Sequence, residues 1–288
     1  MADTGIGKRI EVFLVDGSPN GLVQCKVDLG VIGYRIPRKG IEKNKDREHL
    51  KQAGIYFLFG KTDDEAKGAI YIGQAIKRQN GEGILYRLQE HTKDKDKEFW
   101  TEAIAFTTHD ESADIDLNYL ENMFYKLVEN ANRYEIKNRN TPNPGVVSEG
   151  KRSTLDKIIE DAKIVTGLLG HNVFVTEPTK NTSSDGQLYY IGQGSEKEAV
   201  GKYTNEGFLV FKDSNIGGIS DSLSSGYKKL REKYSYLIIN NKLSENISFN
   251  SASAASSFVL GRNSNGRIDW KTNEGKTFGE IENELESK

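Results

Sequence analysis

Two tripeptides stand close together in this chain, Gly54-Ile55-Tyr56 and Tyr71-Ile72-Gly73, and Arg87, His91 and Glu121 follow in that order. They bring two phenols, a guanidinium, an imidazole and a carboxylate into one short stretch. These are the groups needed to cut a phosphodiester. An arginine offers a planar fork of donors to a phosphate, and a histidine moves protons near neutral pH. A carboxylate can hold a hard cation together with substrate oxygens.

Each residue also has a plainer reading. Tyr56 and Tyr71 are ordinary strand residues whose rings pack while the hydroxyls stay wet. Gly54 and Gly73 are ordinary strand-end glycines. Arg87 and His91, at i and i+4, share a helix face away from Ile84 and Leu88; that face could simply be solvated, with Glu90 as a partner. Glu121 is sharper. It lies among Leu117, Leu120 and Phe124 on an apolar stripe, where a carboxylate is costly to bury unless paired or ligated. A salt bridge to an arginine would satisfy it as well as a metal would.

The elements that must position these groups follow from periodicity. Residues 8–28 read as a β-hairpin: Ile10, Val12 and Leu14 alternate, residues 16–21 form the turn, and residues 22–27 return. Residues 38–51 are a charged connector with a helical turn. Residues 54–59 and 69–73 read as an antiparallel strand pair around a polar turn at 61–67. A helix is expected over 83–92, a charged solvated run over 93–98 and a third strand over 99–107. An amphipathic helix is expected over 114–130. A breaker segment over 138–145 ends this block. Residues 153–169 form another helix, closed by Gly170. A polar, glycine-rich stretch spans 180–207. Beyond it come a strand from Gly207, a Ser/Gly loop, a helix over 227–234, short strands near Leu237 and Ile268, and an acidic tail from Gly279.

Composition bounds the class. The chain has 288 residues, 36% hydrophobic and 28% charged, with a net charge of −2. That suits about two domains. No stretch approaches a membrane span, and no apolar signal segment opens the chain. Cys25 is the only cysteine, which excludes an internal disulfide or a thiolate zinc site within one chain. A cytoplasmic protein with no membrane partner is expected. Residues 51–150 carry 13 Lys/Arg against 17 Asp/Glu, while residues 201–278 carry 11 against 7. A polyanion would be gripped at the C-terminal end, and the acidic part would hold a cation. Lys228, Lys229, Arg231, Lys233, Arg262, Arg267 and Lys271 are the candidate DNA-phosphate contacts, unless the lysine cluster is only a solvated helix face. Trp270 reads as a stacking surface or, more readily, as core. There is no Gly-x-Ser-x-Gly elbow for a small-molecule hydrolase.

Taken together, Gly54-Ile55-Tyr56, Tyr71-Ile72-Gly73, Arg87, His91 and Glu121 resemble the GIY-YIG nuclease superfamily over residues 53–140. Its closing asparagine matches Asn138, with Asn140 as the alternative. Residues 8–50 look like the N-terminal extension of one bacterial and phage branch. Residues 200–280 are similar to a domain of unknown function that follows such nuclease domains. Tyr190-Ile191-Gly192 repeats the second tripeptide, but no Gly-Ile-Tyr precedes it and no Arg/His pair follows.

The resemblance implies an α+β fold: a small antiparallel three-stranded sheet flanked by helices, an N-terminal β-hairpin extension, and a small mixed α/β C-terminal domain. The divisions expected are 1–52 extension, 53–148 nuclease domain, 149–200 helical connector and 201–288 DNA-binding or specificity domain. It implies metal-dependent hydrolysis of DNA with one Mg²⁺ or Mn²⁺ on Glu121. Tyr56 would be the general base, with His91 as an alternative base or relay; a free phenol, with a pKa near ~10, needs help to act so. Arg87 would stabilise developing charge, Tyr71 would orient water or phosphate, and Gly54 and Gly73 would allow close strand approach and leave room for substrate. A non-catalytic nucleic-acid-binding or interaction protein on the same fold is the rival reading. Cutting both strands would need a homodimer, two binding events or a single-stranded substrate, and the sequence does not choose.

Overall fold

The computed structural model describes residues 7–28, 30–44, 46–61, 68–76, 83–108, 116–176, 187–192 and 199–286. Most of the expected polar turn at 61–67 and part of the stretch at 180–207 lie outside the described residues. The fold is α+β and divides into two compact units, Met1–Glu177 and Pro178–Lys288. No described helix is long and apolar enough to cross a membrane.

In the first unit the strands are β1 (Ile10–Leu14), β2 (Val23–Val27), β3 (Val31–Pro37), β4 (Gly54–Lys61) and β5 (Gly68–Ala75). Helix α1 (Ile84–Lys93) precedes β6 (Trp100–Thr108), and α2 (Leu117–Ala131) precedes β7 (Tyr134–Ile136) and α3 (Glu149–Leu168). All seven strands join one sheet in the order β1-β2-β3-β6-β4-β5-β7. The expected three-stranded sheet is therefore too small. Its members β6, β4 and β5 are present and adjacent. The unanticipated β3 pairs along the whole free side of β6, from Val31↔Thr108 to Pro37↔Glu102, and carries the N-terminal hairpin with it. Strand β7 adds to the other side, parallel to β5 but only along Gly68–Ile70.

Alternation on β4 divides the interior in two. Ile55, Phe57 and Phe59 face one core, closed by Leu120, Phe124 and Val128 of α2 and by Leu155, Ile159 and Val165 of α3. Tyr56 and Leu58 face the other, closed by Ile84, Leu85 and Leu88 of α1 and by Ile41 and Leu50 of the 38–51 connector. The connector consists of short 3-10 turns. Arg38 anchors it by donating to the carbonyls of Thr92, Lys97, Glu98 and Trp100. Helix α2 starts where the Asp116 carboxylate accepts from the Tyr119 amide, and stops at Asn132 in the left-handed region.

The second unit contains β8 (Leu188–Ile191), β9 (Ala199–Thr204), β10 (Gly207–Val210), α4 (Ser225–Lys233), β11 (Ile238–Ile239), β12 (Lys242–Leu243), β13 (Ile247–Phe249), α5 (Ala252–Leu260), α6 (Gly266–Asp269) and α7 (Phe278–Glu286). Its main sheet runs β13-β10-β9-β8. Phe208, Phe249, Phe258 and Trp270 form its own core. Ile268 lies in α6, not in a strand, because the Asn265 side chain caps a helical turn there.

Candidate functional site

Tyr56 stands directly opposite Gly73 across the β4–β5 pair. A Cβ at Gly73 would sit 2.4 Å from the Tyr56 hydroxyl oxygen and from ring carbon Cζ. The second tripeptide therefore ends in glycine to make room for the phenol of the first, so the space at Gly73 is filled by Tyr56 rather than kept for substrate. Gly54 serves the backbone instead: a Cβ there would meet the Phe106 carbonyl at 2.1 Å. The Tyr56 hydroxyl lies 2.7 Å from His91 Nε2. Tyr71 completes the group, with its ring centroid 6.4 Å from that of Tyr56 and 5.5 Å from that of His91.

His91 corrects one expectation. It does not share an outward face with Arg87. Ile84, Leu88 and His91 make one inward stripe at i, i+4 and i+7, and His91 is only 2% exposed. Burial, with Lys97 and Arg87 nearby, holds its pKa down at about 4, so the imidazole is neutral at pH 7. Burial and the neighbouring Tyr71 push the Tyr56 phenol far up, against the opposing pull of Arg87. Arg87 itself is partly exposed and donates to Glu90 at 2.6 Å, a bond that strengthens its hold on its proton.

Glu121 reaches the same region from α2. It is partly buried at the edge of the apolar stripe. The Gln74 side chain, next to Gly73 on β5, donates to Glu121 Oε2 at 3.0 Å and to Asn118 Oδ1 at 2.8 Å. Burial raises the Glu121 carboxyl, while Gln74 and Arg87 pull it down. Strand β7 stops short along β5, and the Asn138 side chain takes over: it accepts from the Ile72 amide at 3.0 Å and donates to the Ile72 carbonyl at 2.7 Å. Asn140 makes no such pair and is exposed. Beside this edge opens a cleft of about 430 Å³ lined by Tyr71, Lys97, Glu121, Asn138 and Arg139, among others.

The structure thus gathers Tyr56, Tyr71, Arg87, His91 and Glu121, with Asn138 beside them. Sequence reasoning missed three participants. Lys97, read as part of a solvated run, lies with its ammonium 4.4 Å from the Tyr71 ring centroid. Gln74 and Asn118 orient the carboxylate. Only Gln74 left a signal, as a polar residue in a buried strand directly after Gly73.

Among the described residues no group of three or more His, Cys, Asp or Glu side chains could enclose a metal. The donor set still fits a hard divalent cation of the Mg²⁺ kind, which takes one or two carboxylates and fills its shell with water and phosphate oxygens. Glu121 is the partly buried carboxylate in the cleft whose charge its neighbours leave undercompensated. Asp94 and Asp96, also in the lining, are engaged by Lys97 and Arg139.

In the second unit the basic candidates separate. Arg231 is a correction: it is 6% exposed and donates to the carbonyls of Phe258 and Gly217, so it holds the fold and offers nothing to a phosphate. Arg267 is engaged by Glu282 at 2.9 Å and by Asn283. Lys228, Lys229, Lys233, Arg262 and Lys271 are exposed. Trp270 is core, fully buried against Phe208, with its indole N–H on the Ala252 carbonyl. Tyr190 and Ile191 of the repeated tripeptide lie in β8, where Tyr190 bridges to Lys271.

No curated protein and no solved structure matches the chain. Residues 189–282, about a third of the chain and all within the second unit, match the family described as a domain of unknown function, DUF4357.

Proposed function

We propose that the first unit is a metal-dependent endonuclease of the GIY-YIG type, hydrolysing phosphodiester bonds of DNA. The observation that carries this reading is the Tyr56–His91 hydrogen bond, beside Arg87 and packed against Tyr71, which with Glu121 lines an open cleft. A neutral His91 has a lone pair to receive a proton. A phenol with a raised pKa is a poor base by itself but a good relay. Tyr56 therefore passes its proton to His91 Nε2 as it takes one from the attacking water, which shifts the base role assigned to Tyr56 onto the pair. Arg87, always charged, donates to the phosphate as negative charge builds. Tyr71 and Lys97 border the cleft and hold the phosphate or the water.

Glu121 would hold the Mg²⁺ or Mn²⁺ ion, which when bound stabilises charge on the phosphate and the leaving oxygen. The exposed Lys228, Lys229, Lys233, Arg262 and Lys271 make the second unit a DNA-tethering or specificity module, by salt-dependent contacts with phosphates.

One observation favours a second reading, a non-catalytic nucleic-acid-binding protein on the same fold. Tyr56 and His91 are 1% and 2% exposed, as a structural pair would be. Incubation of plasmid and single-stranded DNA with Mg²⁺, Mn²⁺ or EDTA separates the two. Cleavage that needs the metal and disappears in Glu121→Ala, with DNA binding kept, is the expected result. DNA binding without cleavage in any metal would leave the second reading standing.

A further inference from the structure

The cleft beside Glu121 lies between two chain segments that the fold holds from behind. One is residues 94–99, just after α1. The Asp94 carboxylate caps a 3-10 turn there by accepting from the Asp96 amide at 3.0 Å, and Arg38 fixes the backbone through the carbonyls of Lys97 and Glu98. The other is residues 137–142. The Asn138 clamp on Ile72 holds one end. Asn122, buried on α2, holds the other by donating to the Pro142 carbonyl at 2.7 Å. Both walls are set before anything enters.

Among the described residues Lys97, Lys137 and Arg139 are the cations lining the cleft, and each is already matched. Lys97 is held by Asp94 at 3.3 Å, Lys137 by Glu135 at 2.6 Å and Arg139 by Asp96 at 2.6 Å. The pairs differ in what they are free to do. Lys97 is largely buried and Asp94 also caps the turn, so that pair belongs to its wall. Lys137 and Glu135 are near neighbours on one segment. Arg139 and Asp96 are 83% and 72% exposed, and their pair crosses from one wall to the other.

An ion pair in that much water is worth little and yields to a better partner. A phosphodiester is such a partner, because its two free oxygens match the planar guanidinium fork. Asp96 offers the same charge and a similar pair of oxygens. We infer that Arg139 grips a backbone phosphate of a DNA strand lying in the cleft, and that Asp96 occupies Arg139 as a stand-in until the strand enters. Glu121 and Arg139 line one cleft, so a strand lying over the carboxylate passes the guanidinium as well. That the ligand is DNA rests on the proposed function. Asp96 thereby sets how tightly the site holds its strand without touching the chemistry.

Affinity is read by fluorescence anisotropy of the full chain with a labelled DNA duplex. EDTA keeps the DNA intact, and salt is held at about 50 mM, where phosphate contacts count most. Both side chains lie at the surface, so neither substitution should disturb folding. Arg139→Gln should weaken binding about tenfold, as loss of a charged hydrogen-bond partner does, and lower the slope of log affinity against log salt by about one. Asp96→Asn should tighten binding about two- to fivefold, the most that an exposed pair can withhold. The double variant decides between a stand-in and simple repulsion. In an Arg139→Gln background Asp96→Asn should do nothing, since there is no guanidinium left to release. An equal gain in both backgrounds overturns the inference, and so does wild-type affinity in Arg139→Gln. Cleavage by the same samples in Mg²⁺ separates this failure from that of the proposed function. Wild type that cuts DNA, with affinities indifferent to Arg139, overturns the grip alone. The expected affinities without cleavage support the grip and remove the nuclease, and failure to bind DNA at all removes both.

Discussion

His91 connects the candidate chemistry to stability through one proton. In the unfolded chain the imidazole takes up a proton near pH 6.5, whereas the folded site delays this to about pH 4. Between those values the unfolded chain binds more protons, so stability falls as the pH falls. The contribution is complete above about pH 6.5 and gone below about pH 4, with a span on the order of 3 kcal/mol. Glu121, whose carboxyl is raised, acts in the opposite sense: its share is present at low pH and lost as pH rises through its folded value. The difference between wild type and His91→Gln isolates the histidine. Urea midpoints at pH 5 and pH 7 should differ less in His91→Gln than in wild type; an equal difference would place the proton elsewhere. Tyr56→Phe should leave Nε2 without its partner, costing about 1–3 kcal/mol and, under the proposed function, most of the turnover. At this scale the sequence revealed residue types and order but not facing. A histidine three residues past Leu88 is compatible with a wet or a dry helix face, and only the packing of α1 on β4 and β5 decides. Arg231 failed as a phosphate contact for a similar reason. Nothing local distinguishes it from Lys228 or Lys229, yet it alone turns inward to the carbonyls of Phe258 and Gly217.

At the scale of elements, the two tripeptides are halves of one packing device. Tyr56 fits only because Gly73 offers no side chain. Gly73→Ala places a methyl group inside the space of the phenol, and neither the strand pair nor the buried ring can yield freely. Overpacking of this kind costs about 1–3 kcal/mol. The damage should be local: the Tyr56–His91 bond should break while β1 to β3 keep their slow hydrogen exchange. Amide exchange by NMR on Gly73→Ala checks this, and uniform loss of protection across the sheet would contradict it. Strands β4, β5 and β6 and helices α1 to α3 were legible because each is a continuous apolar run or a clear helical stripe. Strand β3 was not. Its run Val31-Ile32-Gly33-Tyr34-Arg35-Ile36-Pro37 is broken by glycine and ended by proline, residues that usually punctuate. The structure supplies the missing reason for the glycine: a Cβ on Gly33 would lie 2.8 Å from Val165 of α3 and 3.0 Å from the Phe106 ring. Where a helix presses on a sheet, glycine belongs to the strand, and that pressure comes from residues more than a hundred positions away.

At the scale of the whole molecule, each of the two compact units has its own core, the first on both faces of its sheet. The aromatic cluster of Phe57 with Phe106, Phe124 and Phe174 lies wholly in the first. The cluster of Phe208 with Trp270, Tyr189 and Phe278 lies wholly in the second. The candidate catalytic residues all belong to the first unit and the exposed basic candidates to the second, so chemistry and tethering should be separable by mutation. Truncating a fully buried phenylalanine costs about 3–5 kcal/mol, enough to move a melting transition by many degrees. Phe57→Ala should lower one calorimetric transition and leave the other in place, and Phe208→Ala should do the reverse. The link to function then follows. Phe208→Ala, heated just past its own transition, should keep the Tyr56–His91 environment, read from the imidazole NMR signals, while its affinity for DNA and the salt dependence of that affinity decline together. A single transition that both substitutions lower equally would mean that the two units unfold as one, and the division of labour between them would fall with it.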